Sequence, residues 1–280
     1  MNSIQLIQTV KALQLAKAAM VLLCFLVLLG NFGTSAFGQH RKALIVNGPD
    51  GMLEAIEAQN LIQLMQSSGY EVGYLTGRSA TWEKVKSAAQ GVHILIYSGH
   101  GSILGYDGTG GLCLHASNGD GIVSSQTLET SIQLAPNALV LFKSVCRGAG
   151  SSAGDNGDIG IREATTRVAA YARPFFTMGA SAYYADNYSD GIEGFLELML
   201  QGYTMNEAYK VQVEFWNEIV YEGKLSYAPQ MNIGISKSSY SGDAIRTIES
   251  GGQTITERIE VEASYDVAFA GRSEYRLTSP

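Results

Sequence analysis

Two residues capable of covalent chemistry, His100 and Cys146, each follow an apolar run and each stand within two residues of a glycine. Val92–Gly101 reads VHILIYSGHG, and Ala138–Gly148 reads ALVLFKSVCRG. A cysteine attacks a carbonyl carbon as its thiolate, and a histidine within reach can take the thiol proton. The attacked carbonyl oxygen becomes an anion, which needs N–H donors aimed at it. Gly101 and Cys146 each carry a backbone N–H at the end of their run, so the two stretches supply nucleophile, base and oxyanion hole. Each residue also has a plain structural reading: a free cysteine is usually a small buried hydrophobe, and a histidine in a glycine turn can be incidental. Two matching frames of apolar run, reactive residue and glycine favour chemistry. The order is informative as well. His100 precedes Cys146 and position 144 is Ser, so the G-x-(Ser or Cys)-x-G elbow of the hydrolases, with its nucleophile ahead of the base, does not fit.

The elements that must hold these residues follow from hydrophobic periodicity. Lys42–Gly48 and Glu71–Gly77 read as strands, as do the runs before His100 and Cys146. Leu53, Ile56, Leu61, Leu64 and Met65 mark a helix ending at Gly69, and Thr81 caps another that stops at Gly91. Strand, helix, strand, helix, strand predicts an α/β fold with a mostly parallel central sheet between helical layers. Candidate active residues then sit at the carboxyl ends of strands, where such sheets form their crevices. Residues 102–123 read as a hairpin excursion containing a short strand, Gly111–Ala116, and Ser124–Leu134 as a helix. Gly148–Gly160 is a small-residue loop able to close over a bound chain. A helix over Ile161–Ala172 is expected to end before Pro174, with Phe175–Ala185 a strand. Asp190 with Glu193, and Thr204 with Glu207, form capping boxes, the second opening a helix to about Tyr221. Alternation from Ile259 to Phe269 predicts a strand. Residues 39–235 therefore read as the main domain and 236–280 as a β-rich extension.

Charge and the first residues bear on partners. Lys11 and Lys17 precede the apolar run Ala18–Gly30, followed by small residues to Gly38, the order of a secretory signal peptide over 1–38. The run is short for a spanning helix, which needs about 20 residues. An uncleaved anchor is the alternative. Removing 1–38 takes away two of the 19 basic residues and none of the 26 acidic ones, which argues against nucleic acid or anionic lipid as a partner. No stable membrane insertion is expected once the signal is removed. Cys113 and Cys146 read as free thiols, although one disulfide is the alternative for an exported chain.

Weaker candidates have blander readings. Cys113 and His115 share a face if extended, but two ligands do not make a metal site. Asp155, Asn156 and Asp158 resemble a calcium loop with the wrong spacing. Gly99-His100-Gly101 lacks the third glycine of a dinucleotide fingerprint. Asp186 and Asp190 read as turn and cap residues, His93 as a satisfied core histidine, and His40 as uninformative. No metal and no cofactor is assigned.

The two apolar blocks, one ending in His-Gly and the other in Cys 46 positions later, resemble the caspase, legumain, gingipain and clostripain-like clan of cysteine peptidases. Cys146-Arg147-Gly148 resembles the caspase nucleophile tripeptide, and ALIVNG at 43–48 and GYEVGYL at 69–75 resemble the first two strands. Gly179–Lys210 is similar to the bacterial gingipain-like branch, so the resemblance spans about 42–215. It implies a three-layer α/β/α caspase-like sandwich, a His100–Cys146 dyad with Gly101 as oxyanion donor, and cleavage of a protein or peptide substrate after one selected P1 side chain. Many clan members place an acid or Gln two residues before the nucleophile, on the floor of the P1 pocket; here it is Ser144. Asp50, on the turn after the first strand, is the acid placed to enter that pocket, and Ser181 and Tyr183 are its expected wall. The alternative is an inactive member that binds peptide or a partner through the same cleft.

Overall fold

The computed structural model describes residues 41–277 apart from 102–109, 117–118, 153, 156–157, 188–190, 214–216, 239–241, 251–252 and 262–263, with backbone alone for 119–120, 217, 242–250 and 253–261. The expected signal peptide, His40 and Asp190 lie outside the described residues, as does Asn156. Residues 41–280 form one compact unit. Its centre is an eight-stranded sheet in the order β2-β1-β3-β6-β7-β12-β9-β8. The strands are β1 (Arg41–Asn47), β2 (Tyr70–Thr76), β3 (Ile94–Ser98), β6 (Ala138–Lys143), β7 (Ala180–Asp186), β8 (Asn217–Leu225), β9 (Ala228–Ser238) and β12 (Tyr265–Gly271). The first five are parallel, and β12, β9 and β8 extend the sheet antiparallel. Two hairpins, β4 (Gly111–Ala116) with β5 (Gly119–Ser124) and β10 (Gly242–Ser250) with β11 (Gln253–Val261), stand outside it.

Helices cover both faces. Residues of α1 (Ala55–Ser67), α5 (Gly191–Leu200) and α6 (Met205–Val213) share one core with Ile45, Ile96, Leu141 and Tyr184. Residues of α2 (Trp82–Ala88), α3 (Ser125–Ser131) and α4 (Ile161–Thr177) share the other with Val46, Tyr97, Phe142 and Tyr183. This double burial explains why β3 and β6 are continuous apolar runs rather than alternating ones. The arrangement is an α/β fold with helices on both faces of a large, mostly parallel mixed sheet, compatible with a three-layer sandwich. The chain enters mid-sheet at β1, goes out to β2, then crosses back to β3, with α1 and α2 on opposite faces. That reversal makes the carboxyl ends of β1 and β3 a topological switch point, where ligand crevices open in such sheets.

Several expectations fail for physical reasons. Helix α4 runs through Pro174 instead of ending before it. A proline inside a helix costs about 3 kcal/mol, but burial of Tyr171, Ala172, Pro174 and Phe175 on the sheet offsets that. Strand β7 therefore begins at Ala180, after Gly179 at φ 114, and not at Phe175. The Thr204–Glu207 capping box is present, with Thr204 N–H to Glu207 Oε2 at 2.8 Å and Glu207 N–H to Thr204 Oγ1 at 3.2 Å, yet its helix stops at Val213. Ile219, Val220 and Tyr221 belong to β8, since β-branched and aromatic residues suit a strand that turns into β9. Residues 236–280 do not stand apart as an extension. Strand β9 crosses position 235, and β12 lies between β7 and β9. The alternation from Ile259 to Phe269 is split between β11 and β12.

Phe142 is fully buried at the centre of an aromatic cluster, with Tyr97, Tyr171, Phe175 and Tyr183 rings 5.2–5.9 Å away. Phe142→Ala is expected to destabilise the fold by about 3–5 kcal/mol, read by denaturant unfolding; a loss under about 1 kcal/mol would show that the cluster carries little of the stability.

Candidate active site

The register across the parallel strands determines what meets at their carboxyl edge. Asn47 pairs with Ser98, Ser98 with Lys143, and Lys143 with Asp186, each the last residue of its strand. His100 lies two residues past Ser98, and Cys146 three past Lys143, on neighbouring strands. Their loops touch at Gly101, where an added Cβ would lie 2.3 Å from the Cys146 carbonyl oxygen and 2.5 Å from the Tyr171 hydroxyl. Only a residue without a side chain fits there, which explains the glycine after His100. His100 is exposed, Cys146 is half-buried, and Cys113 and Cys146 are free thiols.

The turn that carries His100 is tied down from beneath. The Tyr97 hydroxyl lies 2.9 Å from the His100 carbonyl and accepts the Cys113 N–H at 3.0 Å, linking the turn to hairpin β4–β5. Gly99, at φ 152, leaves room for that hydroxyl. The bridge between Gly101 and Leu112 is flanked by a bond from Cys113 N–H to the His100 carbonyl, so it does not use the Gly101 N–H. The Cys146 turn is bonded through Gly148 N–H to Val145 and Arg147 N–H to Ser151, bonds that do not use the Cys146 N–H. Ser144 at φ 54 and Arg147 at φ 69 flank it in left-handed conformations. Such strain in non-glycine residues persists only where the surroundings fix it.

Asp50, also left-handed at φ 54, brings its carboxylate to 3.6 Å from His100 Nε2. Its loop is fastened to β3 by Gly48 N–H to the Ser98 carbonyl at 2.8 Å and by Met52 N–H to Ser98 Oγ at 3.0 Å. Asp50 is thus a partner of His100, and Ser144 sits half-buried two residues before Cys146.

The expected pocket wall is corrected. Ser181 lies at the amino end of β7, the opposite edge of the sheet, where its hydroxyl bonds Asn137 Oδ1 at 3.0 Å. The later start of β7 moved it there. Tyr183 is wholly buried, and burial pushes its phenol well above its ordinary value. Its hydroxyl donates to the Gly148 carbonyl at 2.9 Å, so it supports the Cys146 turn from below and lines no open pocket. Asp186 is no turn residue either, being the fully buried end of β7.

The described residues of the loop after Cys146 are bonded to their surroundings. Ser151 accepts the Asn187 side-chain N–H at 3.2 Å and, through Oγ, the Tyr265 N–H at 2.7 Å. Arg167 binds both Asp155 carboxylate oxygens at 2.9 and 2.8 Å, which gives Asp155 a cation already. Lys237 reaches Asp158 at 2.5 Å, and that bond, then one from Gly160, holds the Asp158 carboxyl below its ordinary 3.8. Among the described residues, no group of three or more His, Cys, Asp or Glu is placed to hold a metal, Cys113 and His115 included. His93 is half-buried, its Nδ1 accepting the Lys42 N–H at 3.3 Å. Among the described residues no helix is long and apolar enough to cross a membrane.

Sequence reasoning missed the tyrosines below the site and the ion pair between Lys143 and Glu57 of α1. A lysine ending an apolar run was the available signal, because a buried cation needs an acid. Compared with protein-family models and with curated protein sequences, the chain matches none.

Gly101→Ala is expected to destabilise the fold by about 1–3 kcal/mol through overpacking, measured by thermal or urea unfolding; unchanged stability would mean that the two loops do not meet as described. Asp158 has a depressed folded value, so its tie to Lys237 stabilises above about pH 4 and is lost as pH falls through the folded value. Lys237→Met should therefore reduce stability at pH 6, with the loss shrinking as pH falls below about 4, read by urea unfolding across that range; a loss independent of pH would show that the ion pair does not carry it.

Proposed function

We propose that the chain is an exported cysteine endopeptidase of the caspase-like clan, hydrolysing peptide bonds through a thioester acyl-enzyme. The observation that carries this reading is the contact of the His100 and Cys146 loops at Gly101, on adjacent parallel strands at the carboxyl edge of the sheet. In this reading His100 takes the proton of Cys146, and the thiolate attacks the scissile carbonyl. The N–H groups of Gly101 and Cys146 receive the oxyanion. Collapse releases the amine, protonated by His100, and water then hydrolyses the thioester with His100 as base. Asp50, 3.6 Å from Nε2, orients the imidazole.

Specificity follows from charge. A P1 Arg or Lys is costly to desolvate unless an acid meets it. Ser144 offers only a hydroxyl. Asp50 is beside His100, and Glu57 is paired with Lys143. A small, polar or apolar P1 is therefore preferred. Export, and a substrate met outside the cytoplasm, rest on the signal-like first 38 residues.

Cys146→Ala and His100→Ala should each abolish cleavage of a peptide library while Cys113→Ser keeps it. An active Cys146→Ala with an inactive Cys113→Ser would overturn the assignment. In the same library cleavage after Arg and Lys should be weak and should rise in Ser144→Asp, whereas a profile dominated by basic P1 in the unmodified protein contradicts the pocket reading. Asp50→Asn should lower kcat/KM about two- to fivefold, the scale of an exposed ion pair.

A further inference from the structure

The geometry points to Glu57 and Lys143 as a positioning pair, which sets the Asp50–His100 arm against the strand that delivers Cys146. Lys143 ends β6, and its side chain is 7% exposed. Glu57 lies in the first turn of α1, its side chain 16% exposed, and its Oε1 contacts Lys143 Nζ. The other carboxylate oxygen, Oε2, accepts the N–H of Glu54 at 3.3 Å. Glu54 is the residue from which α1 starts and the last of the loop that carries Asp50. One carboxylate thus joins the end of that loop to a strand whose next three residues are Ser144, Val145 and Cys146.

Other ties of the loop run to β1 and β3. Ser98 holds its middle to β3, and Asn47 Nδ2 donates to the Leu53 carbonyl at 2.9 Å from β1. Ties to β1 and β3 fix the loop relative to His100, while Glu57 fixes it relative to the Cys146 strand. Asn47, Ser98, Lys143 and Asp186 follow Ile45, Ile96, Leu141 and Tyr184 by two residues in register, so all point to the α1 side of the sheet. Lys143 therefore meets α1 from a face opposite to the Phe142 cluster, and the pair acts on the site through the backbone. A buried ion pair is weak evidence for stability, because replacing both partners by apolar residues is often neutral. A role in placement explains why a lysine ends this apolar strand.

The inference rests on the peptidase reading, and the test separates the two. Steady-state kinetics on one peptide substrate would be measured for the unmodified protein, Asp50→Asn, Glu57→Ala and the double variant, with near-ultraviolet circular dichroism to establish folding. Glu57→Ala should lower kcat about three- to tenfold with KM nearly unchanged. In that background Asp50→Asn should cost less than about 1.5-fold, against two- to fivefold in the unmodified protein, because the acid is already misplaced. If Glu57→Ala does not fold, Glu57→Gln, which keeps side-chain length and an acceptor oxygen, takes its place in the cycle. A folded variant with unchanged kcat, or an Asp50→Asn penalty equal in both backgrounds, overturns the positioning role. Absence of Cys146-dependent cleavage in the unmodified protein overturns the peptidase reading instead.

Discussion

Three tyrosine hydroxyls around one buried phenylalanine hold the candidate site together. Phe142 fixes the rings of Tyr97, Tyr171 and Tyr183 inside one core layer. Tyr97 reaches the His100 carbonyl, Tyr183 reaches the Gly148 carbonyl, and the Tyr171 hydroxyl packs against Gly101 between them. A backbone carbonyl buried without a partner costs free energy comparable to a lost hydrogen bond, so these loops follow wherever the rings put the hydroxyls. Rings are stiff and close-packed. That stiffness passes to a histidine turn and a cysteine turn that have few side chains of their own.

Glycine completes the arrangement. Gly101 allows one loop to rest on the other, and Gly99 gives the Tyr97 hydroxyl its space. The left-handed Asp50, Ser144 and Arg147 lie within the same few residues of the sheet edge. Such conformations oppose folding locally and are retained where surrounding structure holds them. Here the holding structure is visible on each side: Ser98 for the Asp50 loop, Asp186 and Ser151 for the Cys146 turn.

The strands of His100 and Cys146 were legible because both are buried on two faces, and burial writes an unbroken apolar run. That they run parallel followed from the alternation of strands and helices, whereas their adjacency in the sheet did not. Pro174 and the segment after Val213 misled, since local signals gave way to packing: α4 buries Phe175 despite its proline, and Ile219 to Tyr221 join a sheet edge that nothing local announces. The misplaced start of β7 carried directly into the pocket wall, putting Ser181 at the wrong edge and Tyr183 on an open surface. Lys143 was legible as an anomaly but its partner was not, because Glu57 is 86 positions away and only the fold brings it close. Cys146 and Gly101 were named for their N–H groups; that they touch is a fact of register, which the sequence expresses only through the lengths of two turns.

The central claim is that His100 activates Cys146. The rate at which a small neutral alkylating agent modifies Cys146, followed by mass spectrometry of the intact chain and of its peptides, tests it without any knowledge of the substrate. The account predicts a single fast adduct on Cys146, slowed at least tenfold at pH 6–7 in a folded His100→Ala, with Cys113 unmodified while the chain stays folded. Equal rates with and without His100, or faster modification of Cys113, would contradict it.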